Sequence, residues 1–179
     1  VAAGHAADLL LGNNVLAHVP DINDFVGGLK VALKPGGVIT MEFPHLLNLI
    51  RHNQFDTIYH EHFSYLSLLA VERIFAHHGL ALFDVQELPT HGGSLRIFAQ
   101  HANGPHATQP GLQAVRDKEV ADGLDELDIY ARFAAQVDET KRALLRFLID
   151  AKEQGLRVAG YGAPAKGNTL LNYCGVRTD

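Results

Sequence analysis

Alternating apolar runs and polar turns predict that the chain opens with a β-α-β unit. The apolar run at 6–11 predicts a buried strand, and the polar residues at 12–14 predict a turn after it. Asp21 is typical of a helix N-cap, and the helix that follows is predicted to run through Lys34, before a Pro-Gly-Gly sequence. The apolar run at 38–43 predicts the second strand.

A second helix and a hairpin are predicted next. Apolar positions recur at helical spacing between 67 and 78, and Gly79 is placed as a C-cap glycine. The runs at 82–88 and 94–100 predict two strands, and the turn-rich residues 89–93 between them favour an antiparallel hairpin. Two strand-helix units followed by a hairpin predict an α/β protein whose sheet corresponds to the back half of a larger one.

A linker is predicted between two domains. Residues 101–111 are polar and rich in Pro, Gly and His, so we divide the chain into domains at 1–104 and 105–179. The first predicted strand has no earlier strand to pair with, and the last strand-turn-helix unit stops soon after it begins. We therefore expect the sequence to be an internal piece of a longer protein.

The second domain is predicted to begin with helices. Residues 112–154 contain no proline and carry apolar residues at spacings of three and four, which predicts one long helix or two helices broken near Gly123. A strand is predicted at 156–161. A glycine-containing turn at 162–167 then leads into a short helix.

Composition and charge narrow the class of protein. The chain has 179 residues, 47% of them hydrophobic and 20% charged, and its formal net charge is -5. This is the balance of a soluble globular protein, without the basic patch that nucleic-acid binding requires. No apolar run is long enough to span a bilayer. The single cysteine, Cys174, cannot form an intramolecular disulfide, so we expect a cytoplasmic protein. From the charge and the lack of a long apolar run, we expect neither nucleic acid nor membrane as a partner.

Proton-handling side chains are concentrated in the segment 42–65. Its YHEH sequence at 59–62 is followed closely by Tyr65. The segment starts at the predicted end of the second strand, where ligands bind in open α/β sheets. An imidazole with a pKa near neutrality can take a proton from carbon while its neighbours orient it or stabilise the developing oxyanion.

Two other interpretations of this cluster are a hydrogen-bonded polar group at a helix entrance and a metal site. His60, Glu61 and His62 are all metal-ligand types. Ligands on one face of a helix lie three or four residues apart, and in a strand His60 and His62 share a face while Glu61 points away. The spacing therefore argues against metal.

The polar turn after the first strand leads to His18, on the same rim of the sheet as the cluster. Its simplest interpretation is turn chemistry followed by a histidine at a helix entrance. The functional interpretation is that Asn13 and Asn14 contact a cofactor and that His18 handles a proton or orients the substrate.

The sequence GYGAPAKGNT at 160–169 follows a predicted strand and opens a helix. Its backbone N–H groups and Lys166 can meet an anion at the helix N-terminus. The glycine offsets match neither a dinucleotide-binding fingerprint nor a Walker A loop. A purely structural turn and an anion or nucleotide-sugar contact both remain open.

Four runs together resemble the S-adenosylmethionine-dependent C-methyltransferases that act on nucleotide-linked keto-deoxysugars. They are HVPDINDFVGGLK, EFPHLLNLIRHNQFDTIYHEHFSY, LPTHGGSLRIFAQH and GYGAPAKGNTLLNYCG. The resemblance covers nearly the whole chain. It implies the back half of a Rossmann-like class I methyltransferase sheet with a terminal antiparallel hairpin, then a helical segment and the start of a second Rossmann-like domain.

The resemblance also implies roles for particular residues. His62 is the expected general base, with Tyr59, Glu61 and His18 around the reacting sugar. The base removes the proton next to the ketone, and the resulting enediolate carbon takes the methyl group. Asn13 and Asn14 match the cofactor-side turn. The turn expected to bind substrate comprises Tyr161, Gly162, Ala163, Lys166, Gly167 and Asn168.

The cofactor implied is S-adenosylmethionine, and zinc is expected only in an upstream domain outside this sequence. The expected partner is a nucleotide-linked keto-sugar, and the expected state is a monomer. The main alternative is an inactive fragment or a substrate-binding module that transfers no methyl group. A metallohydrolase using His60 and His62 is a further alternative, and an NAD-dependent oxidoreductase is disfavoured because no dinucleotide fingerprint is visible.

Overall fold

A mixed four-stranded sheet forms the centre of the molecule, which is described here from a computed structural model covering residues 4–162 and 164–177. The strand order is β1-β2-β4-β3. β1 and β2 are parallel, whereas β4 is antiparallel to both of its neighbours. The strands are β1 (Ala7–Asn13), β2 (Leu33–Pro44), β3 (Leu80–Leu88) and β4 (Ser94–His101). This arrangement confirms the predicted β-α-β unit and the predicted hairpin.

The helices of the described residues lie between and after these strands. They are α1 (Ile22–Ala32), α2 (Leu46–Arg51), α3 (Leu68–His77), α4 (Pro110–Asp122), α5 (Leu127–Glu153) and α6 (Ala165–Cys174). Gly123 adopts a left-handed conformation with φ 81° and separates α4 from α5. The predicted break near Gly123 is therefore confirmed, and α6 confirms the short helix predicted at the end.

The predicted N-cap at Asp21 is present, and the structure adds a second N-cap, at Ser67, that the sequence analysis does not predict. The Asp21 carboxylate accepts hydrogen bonds from the Asn23 and Asp24 backbone N–H groups, each at 3.0 Å. The Ser67 hydroxyl accepts one from Ala70 N at 3.1 Å. These bonds satisfy N–H groups that have no partner within their own helices, and they fix where α1 and α3 begin.

The prediction that the first helix runs through Lys34 is wrong, because α1 ends at Ala32 and β2 begins at Leu33. Leu33 is buried and pairs with Ala7 of β1, and the register between the strands shifts before Leu9 pairs with Val38. The Pro-Gly-Gly sequence therefore lies within an irregular part of the strand instead of ending a helix.

The strand predicted at 156–161 is also wrong. In the described part of the chain, this segment has no β-pairing, and it exposes Leu156, Val158 and Tyr161 to solvent. A strand gains stability from neighbouring strands and from burial. Because no strand of the described chain lies beside this segment, its apolar side chains have nothing to pack against.

Two hydrophobic cores hold the elements together. The larger core lies around the sheet and includes Leu112 and Val115 of α4. The smaller one joins α2 to the later helices through Leu49, Leu124 and Ile129. Residues on both sides of the predicted domain boundary thus share the same packed interior, and the division at 104 stays a prediction.

A buried polar network reinforces the joint between α4 and the sheet. The side chains of His45 and Glu119 are fully buried, and His45 Nε2 lies 2.8 Å from Glu119 Oε1. The same carboxylate accepts hydrogen bonds from Leu68 N at 2.6 Å and Leu69 N at 2.9 Å. Glu119 therefore caps α3 and holds His45, the residue immediately after β2.

Among the helices of the described residues, none is both long enough and apolar enough to cross a membrane.

Candidate active site

A cavity of about 270 Å³ lies where β1 and β2 end. Its walls come from the turn after β1, the end of β2, α2, the segment 54–65, the tip of the β3–β4 hairpin and α6. The lining residues are Asn14, Ala17, His18, Pro44, Leu46, Leu49, Gln54, Thr57, Tyr59, Glu61, His62, Ser64, Tyr65, His91 and Lys166.

The predicted site residues divide into those that line this cavity and those that do not. The first group comprises Asn14, His18, Tyr59, Glu61, His62 and Lys166. The second group, absent from the lining, comprises Asn13, Tyr161, Gly162, Gly167 and Asn168. Ala163 lies outside the described residues.

His62 lies at the centre of an aromatic cluster. Its ring centroid is 4.7 Å from that of His18, which approaches edge-on. Tyr59 stacks on His62 at 4.8 Å, and Tyr65 meets it edge-on at 5.6 Å. Two phenols and a second imidazole thus surround one imidazole within the cavity.

Backbone hydrogen bonds bring these side chains together. His62 N donates to the Tyr59 carbonyl at 3.1 Å, which closes a turn and places Tyr59 against His62. Phe63 N donates to the Ala17 carbonyl at 2.8 Å, which ties this turn to the short 3₁₀ helix that carries His18. The hydroxyl oxygen of Tyr65 accepts a hydrogen bond from Tyr59 N at 3.2 Å.

The environment keeps His62 neutral and Tyr65 protonated. Burial lowers the pKa of His62 below its ordinary value of 6.5, and the neighbouring His18 lowers that pKa further. Burial likewise raises the pKa of the Tyr65 phenol above 10.0. At neutral pH, His62 can therefore accept a proton, and Tyr65 can donate a hydrogen bond.

The metal interpretation receives no support from this geometry. His60 is exposed and does not line the cavity, so it does not converge with His62. Among the described residues, no three His, Cys, Asp or Glu side chains are grouped as metal ligands.

Asn14 has the features expected of a ligand contact. It adopts a left-handed conformation with φ 55°, and its backbone N–H donates to the Glu42 carbonyl at 2.8 Å. Its Oδ1 is buried without a hydrogen-bond partner. A buried acceptor without a partner is costly, so a donor from a bound molecule fits this position. S-adenosylmethionine carries amino and hydroxyl donors of this kind.

Lys166 reaches the cavity because α6 packs against the segment 54–65. The ring of Tyr173, on α6, lies 5.3 Å from that of Phe55, which is buried. The Tyr173 hydroxyl donates to Asp138 Oδ1 at 2.8 Å and so links α6 to α5. Lys166, in the first turn of α6, is thereby held at the cavity wall.

Sequence analysis missed the contribution of the hairpin tip. The sequence at 89–93 predicts only a turn, yet His91 lines the cavity. The Gly-Gly pair after His91 is the feature of the sequence that could have indicated this role, because consecutive glycines indicate a backbone conformation that other residues rarely adopt. Gln54, Thr57 and Ser64 were also missed, since nothing in their spacing distinguishes them from surface residues.

A buried carboxylate supports this hairpin tip. Glu42 accepts a hydrogen bond from Arg96 Nη2 at 2.8 Å and another from Thr90 Oγ1 at 3.0 Å. The bond from Arg96 is the main cause that lowers the pKa of Glu42, and the bond from Thr90 acts in the same direction. Glu42 is therefore ionised and holds the tip against the end of β2.

Comparison with protein families gives matches over both parts of the chain. Residues 89–179 match the family described as C-methyltransferase C-terminal domain. Residues 2–85 match the family described as Methyltransferase domain.

Among characterised proteins, the chain is 38% identical over 177 residues to the C-methyltransferase NovU of Streptomyces niveus. The alignment covers 98% of this chain and 42% of NovU, so the chain spans about two fifths of that relative's length.

Two solved methyltransferases also resemble the chain. The N-methyltransferase NodS from Bradyrhizobium japonicum, in complex with S-adenosyl-L-homocysteine, has a TM-score of 0.41 at 14% identity, covering 55% of this chain and 47% of NodS. The magnesium protoporphyrin IX methyltransferase ChlM from Synechocystis has a TM-score of 0.41 at 13% identity, covering 54% of this chain and 45% of ChlM.

The parallel β1–β2 pair, extended by the antiparallel hairpin, is the sheet expected for the back half of a Rossmann-like methyltransferase domain. The match to the C-terminal domain covers about half of the residues, including the turn that carries Lys166. The chain belongs to the C-methyltransferase family that this C-terminal domain defines.

Proposed function

We propose that this chain provides the acceptor-activating site of an S-adenosylmethionine-dependent C-methyltransferase whose substrate is a nucleotide-linked keto-deoxysugar. The observation that carries the proposal is a half-buried His62 enclosed by His18, Tyr59 and Tyr65 in a cavity at the strand ends. Family membership and the similarity to NovU support C-methylation as the type of reaction.

Methylation at carbon requires removal of a proton from a weakly acidic C–H bond. In our proposal, His62 takes the proton from the carbon next to the ketone, and the electron pair of that bond moves toward the ketone oxygen. An imidazole alone is too weak a base for this step, so donors must stabilise the oxyanion as it forms. We assign this role to the phenols of Tyr59 and Tyr65, whose rings lie beside that of His62. The Tyr65 hydroxyl, which donates to the Tyr59 carbonyl at 3.4 Å, would turn to the oxyanion as it forms.

His18 and Glu61 complete the proposed acid-base group. His18 meets His62 edge-on and raises its tendency to remain neutral. Glu61 also lines the cavity, where its carboxylate favours the protonated form of His62 after the proton has been transferred. His18 therefore favours the neutral form of the His62 imidazole, and Glu61 favours its protonated form.

S-adenosylmethionine, when bound, supplies an electrophilic methyl group. The residues of this chain that would hold it are Asn13 and Asn14, of which Asn14 lines the cavity with a buried, unpartnered Oδ1. Asn13 is exposed at the end of β1, beside Asn14.

Recognition of the nucleotide is proposed for the C-terminal turn. Lys166 lies at the cavity wall and offers a cation to a phosphate of the substrate. Tyr161, Gly162, Gly167 and Asn168 are its neighbours along the chain, and Tyr161 is fully exposed, so its ring is free to meet a base or ribose. A monomer is the expected state.

The direct test is a methylation assay of the full gene product. The protein is incubated with nucleotide keto-deoxysugars and S-adenosylmethionine that carries a deuterated methyl group, and the products are examined by mass spectrometry. We expect one trideuteromethyl group on a sugar carbon next to the ketone. A methyl group on oxygen or nitrogen, or none on any keto-sugar offered, would refute the proposed function.

A further inference from the structure

The tip of the β3–β4 hairpin, residues Thr90–Gly93, forms a wall of the cavity that the mechanism above does not use. His91 lies in this wall, whereas the acid-base group comes from the turn after β1 and from the segment 54–65. The cavity therefore contains a third imidazole that approaches from a separate element.

Hydrogen bonds fix the tip on several sides. Thr90 Oγ1 donates to Glu42 Oε1 at 3.0 Å, and Ser94 Oγ donates to the Thr90 carbonyl at 3.0 Å. Gln54 Nε2 donates to the Gly92 carbonyl at 3.0 Å. Each bond joins the tip to a different neighbour, so the loop is held as a defined part of the cavity wall.

The backbone of the tip is unusual in a way that places the His91 side chain. His91, Gly92 and Gly93 have φ values of 55°, 81° and 116°. Residues other than glycine rarely adopt such positive φ values. A Cβ on Gly92 would come within 2.5 Å of the Gln54 amide, and one on Gly93 would collide with Asn48. Conformations of this kind persist where the surroundings impose them, and they are common at ligand sites.

The charge beside the loop indicates which part of the substrate it meets. Glu42 carries a buried negative charge that is already paired with Arg96, and it bonds to Thr90, the residue before His91. Because Arg96 neutralises this carboxylate, the ion pair leaves no net positive charge at the loop to attract a phosphate, and a neutral hydroxyl or amino group suits the imidazole better. The cation Lys166 lies in a different wall, on α6, and suits the phosphate.

We propose that His91 binds the sugar ring of the substrate, by a hydrogen bond between its imidazole and a hydroxyl or amino group of the ring, and so selects among sugars. This inference rests on the proposed function and deepens it. It assigns two walls of the cavity to different parts of one substrate: the sugar to the hairpin tip that carries His91, and the phosphate to Lys166.

The test compares two variants of the full gene product. His91→Gly removes the imidazole and suits the positive φ, so it does not threaten the fold. We expect its KM for the nucleotide keto-sugar to rise about tenfold, which corresponds to the loss of one hydrogen bond. Inhibition by the nucleoside diphosphate, which lacks the sugar, should keep its wild-type inhibition constant. Lys166→Ala should instead weaken inhibition by the diphosphate and raise the KM for the keto-sugar together, because both molecules carry the phosphate.

Two further variants sharpen the result. His91→Asn keeps a hydrogen-bonding side chain that tolerates left-handed backbone, and it should recover part of the lost affinity. His52→Ala changes an exposed histidine outside the cavity and should match the wild type.

The possible outcomes separate this inference from the proposed function. If the wild type is active and His91→Gly leaves the KM unchanged, the assignment of the loop is wrong while the proposed function stands. If His91→Gly weakens the binding of the diphosphate as much as the binding of the keto-sugar substrate, then His91 binds phosphate, and the assignment of the loop is again wrong. A wild type that methylates no keto-sugar refutes the proposed function, and the sugar assignment fails with it.

Discussion

His62 is the residue on which the proposed chemistry depends. A general base acts in the transition state and adds little to ground-state binding, so His62→Ala should lower kcat far more than it raises KM. Losing such a base typically costs about a hundredfold to ten-thousandfold in rate. His60→Ala is the matched control, because His60 lies two residues away, is exposed and does not line the cavity. Steady-state kinetics that show near-normal turnover for His62→Ala would remove His62 from this role.

The pKa of His62 predicts how activity changes with pH. The base must be neutral, so kcat/KM should rise with pH through the pKa of His62 and then level off. Burial and the nearby His18 both lower this pKa, so the acid limb should lie below pH 6.5. In the variant His18→Asn, the electrostatic contribution of His18 is lost, and the limb should move to higher pH. A limb that stays in place in this variant would show that another group titrates.

At the residue scale, sequence could predict the parts of the site that are close together in the chain. Tyr59, Glu61 and His62 are close in sequence, and their density marks them as functional. His91 could not be found in this way, because its contribution depends on where a hairpin tip lies and on a left-handed backbone. Asn14 was predicted as a cofactor contact, but its orphaned Oδ1 is visible only once its surroundings are known.

At the scale of elements, the Glu119 network should be critical for stability. Glu119→Ala leaves His45 and two N–H groups of α3 buried without their shared acceptor. Each buried polar group left without its hydrogen-bond partner costs about 1–3 kcal/mol of unfolding free energy. Asp117→Ala, an exposed carboxylate on the same helix, should cost less than about 0.5 kcal/mol. Urea unfolding would measure both, and equal small losses would contradict a structural role for the network.

Elements with strong local signals were predicted well, and those that depend on distant contacts were not. Asp21 defines the start of α1 through local hydrogen bonds and Gly123 defines the end of α4 through its backbone conformation, and both are recognisable from the sequence. The end of α1 was misplaced because the pairing of Leu33 with Ala7 takes that residue into β2. The apolar pattern at 156–161 could not reveal that no strand of the described chain pairs with it.

At the scale of the whole molecule, we predict that the 179-residue chain alone binds S-adenosylmethionine weakly or not at all. A nucleoside-containing cofactor on a Rossmann-like sheet is usually held by a glycine-rich loop and by an acidic residue that binds the ribose. The sequence shows no such loop. What this chain offers is the rim formed by Asn13, Asn14 and His18. Titration calorimetry that gives micromolar binding to this chain would mean that the cofactor site has been assigned incorrectly.

The central claim is that this chain holds the group that removes a proton from the carbon next to a ketone. Exchange of that proton in deuterium oxide, followed by NMR on a nucleotide keto-deoxysugar with the full gene product, tests it without requiring methyl transfer. We predict that the wild type and His60→Ala exchange the proton much faster than the uncatalysed reaction and that His62→Ala does not. Exchange by His62→Ala at the wild-type rate would contradict the account.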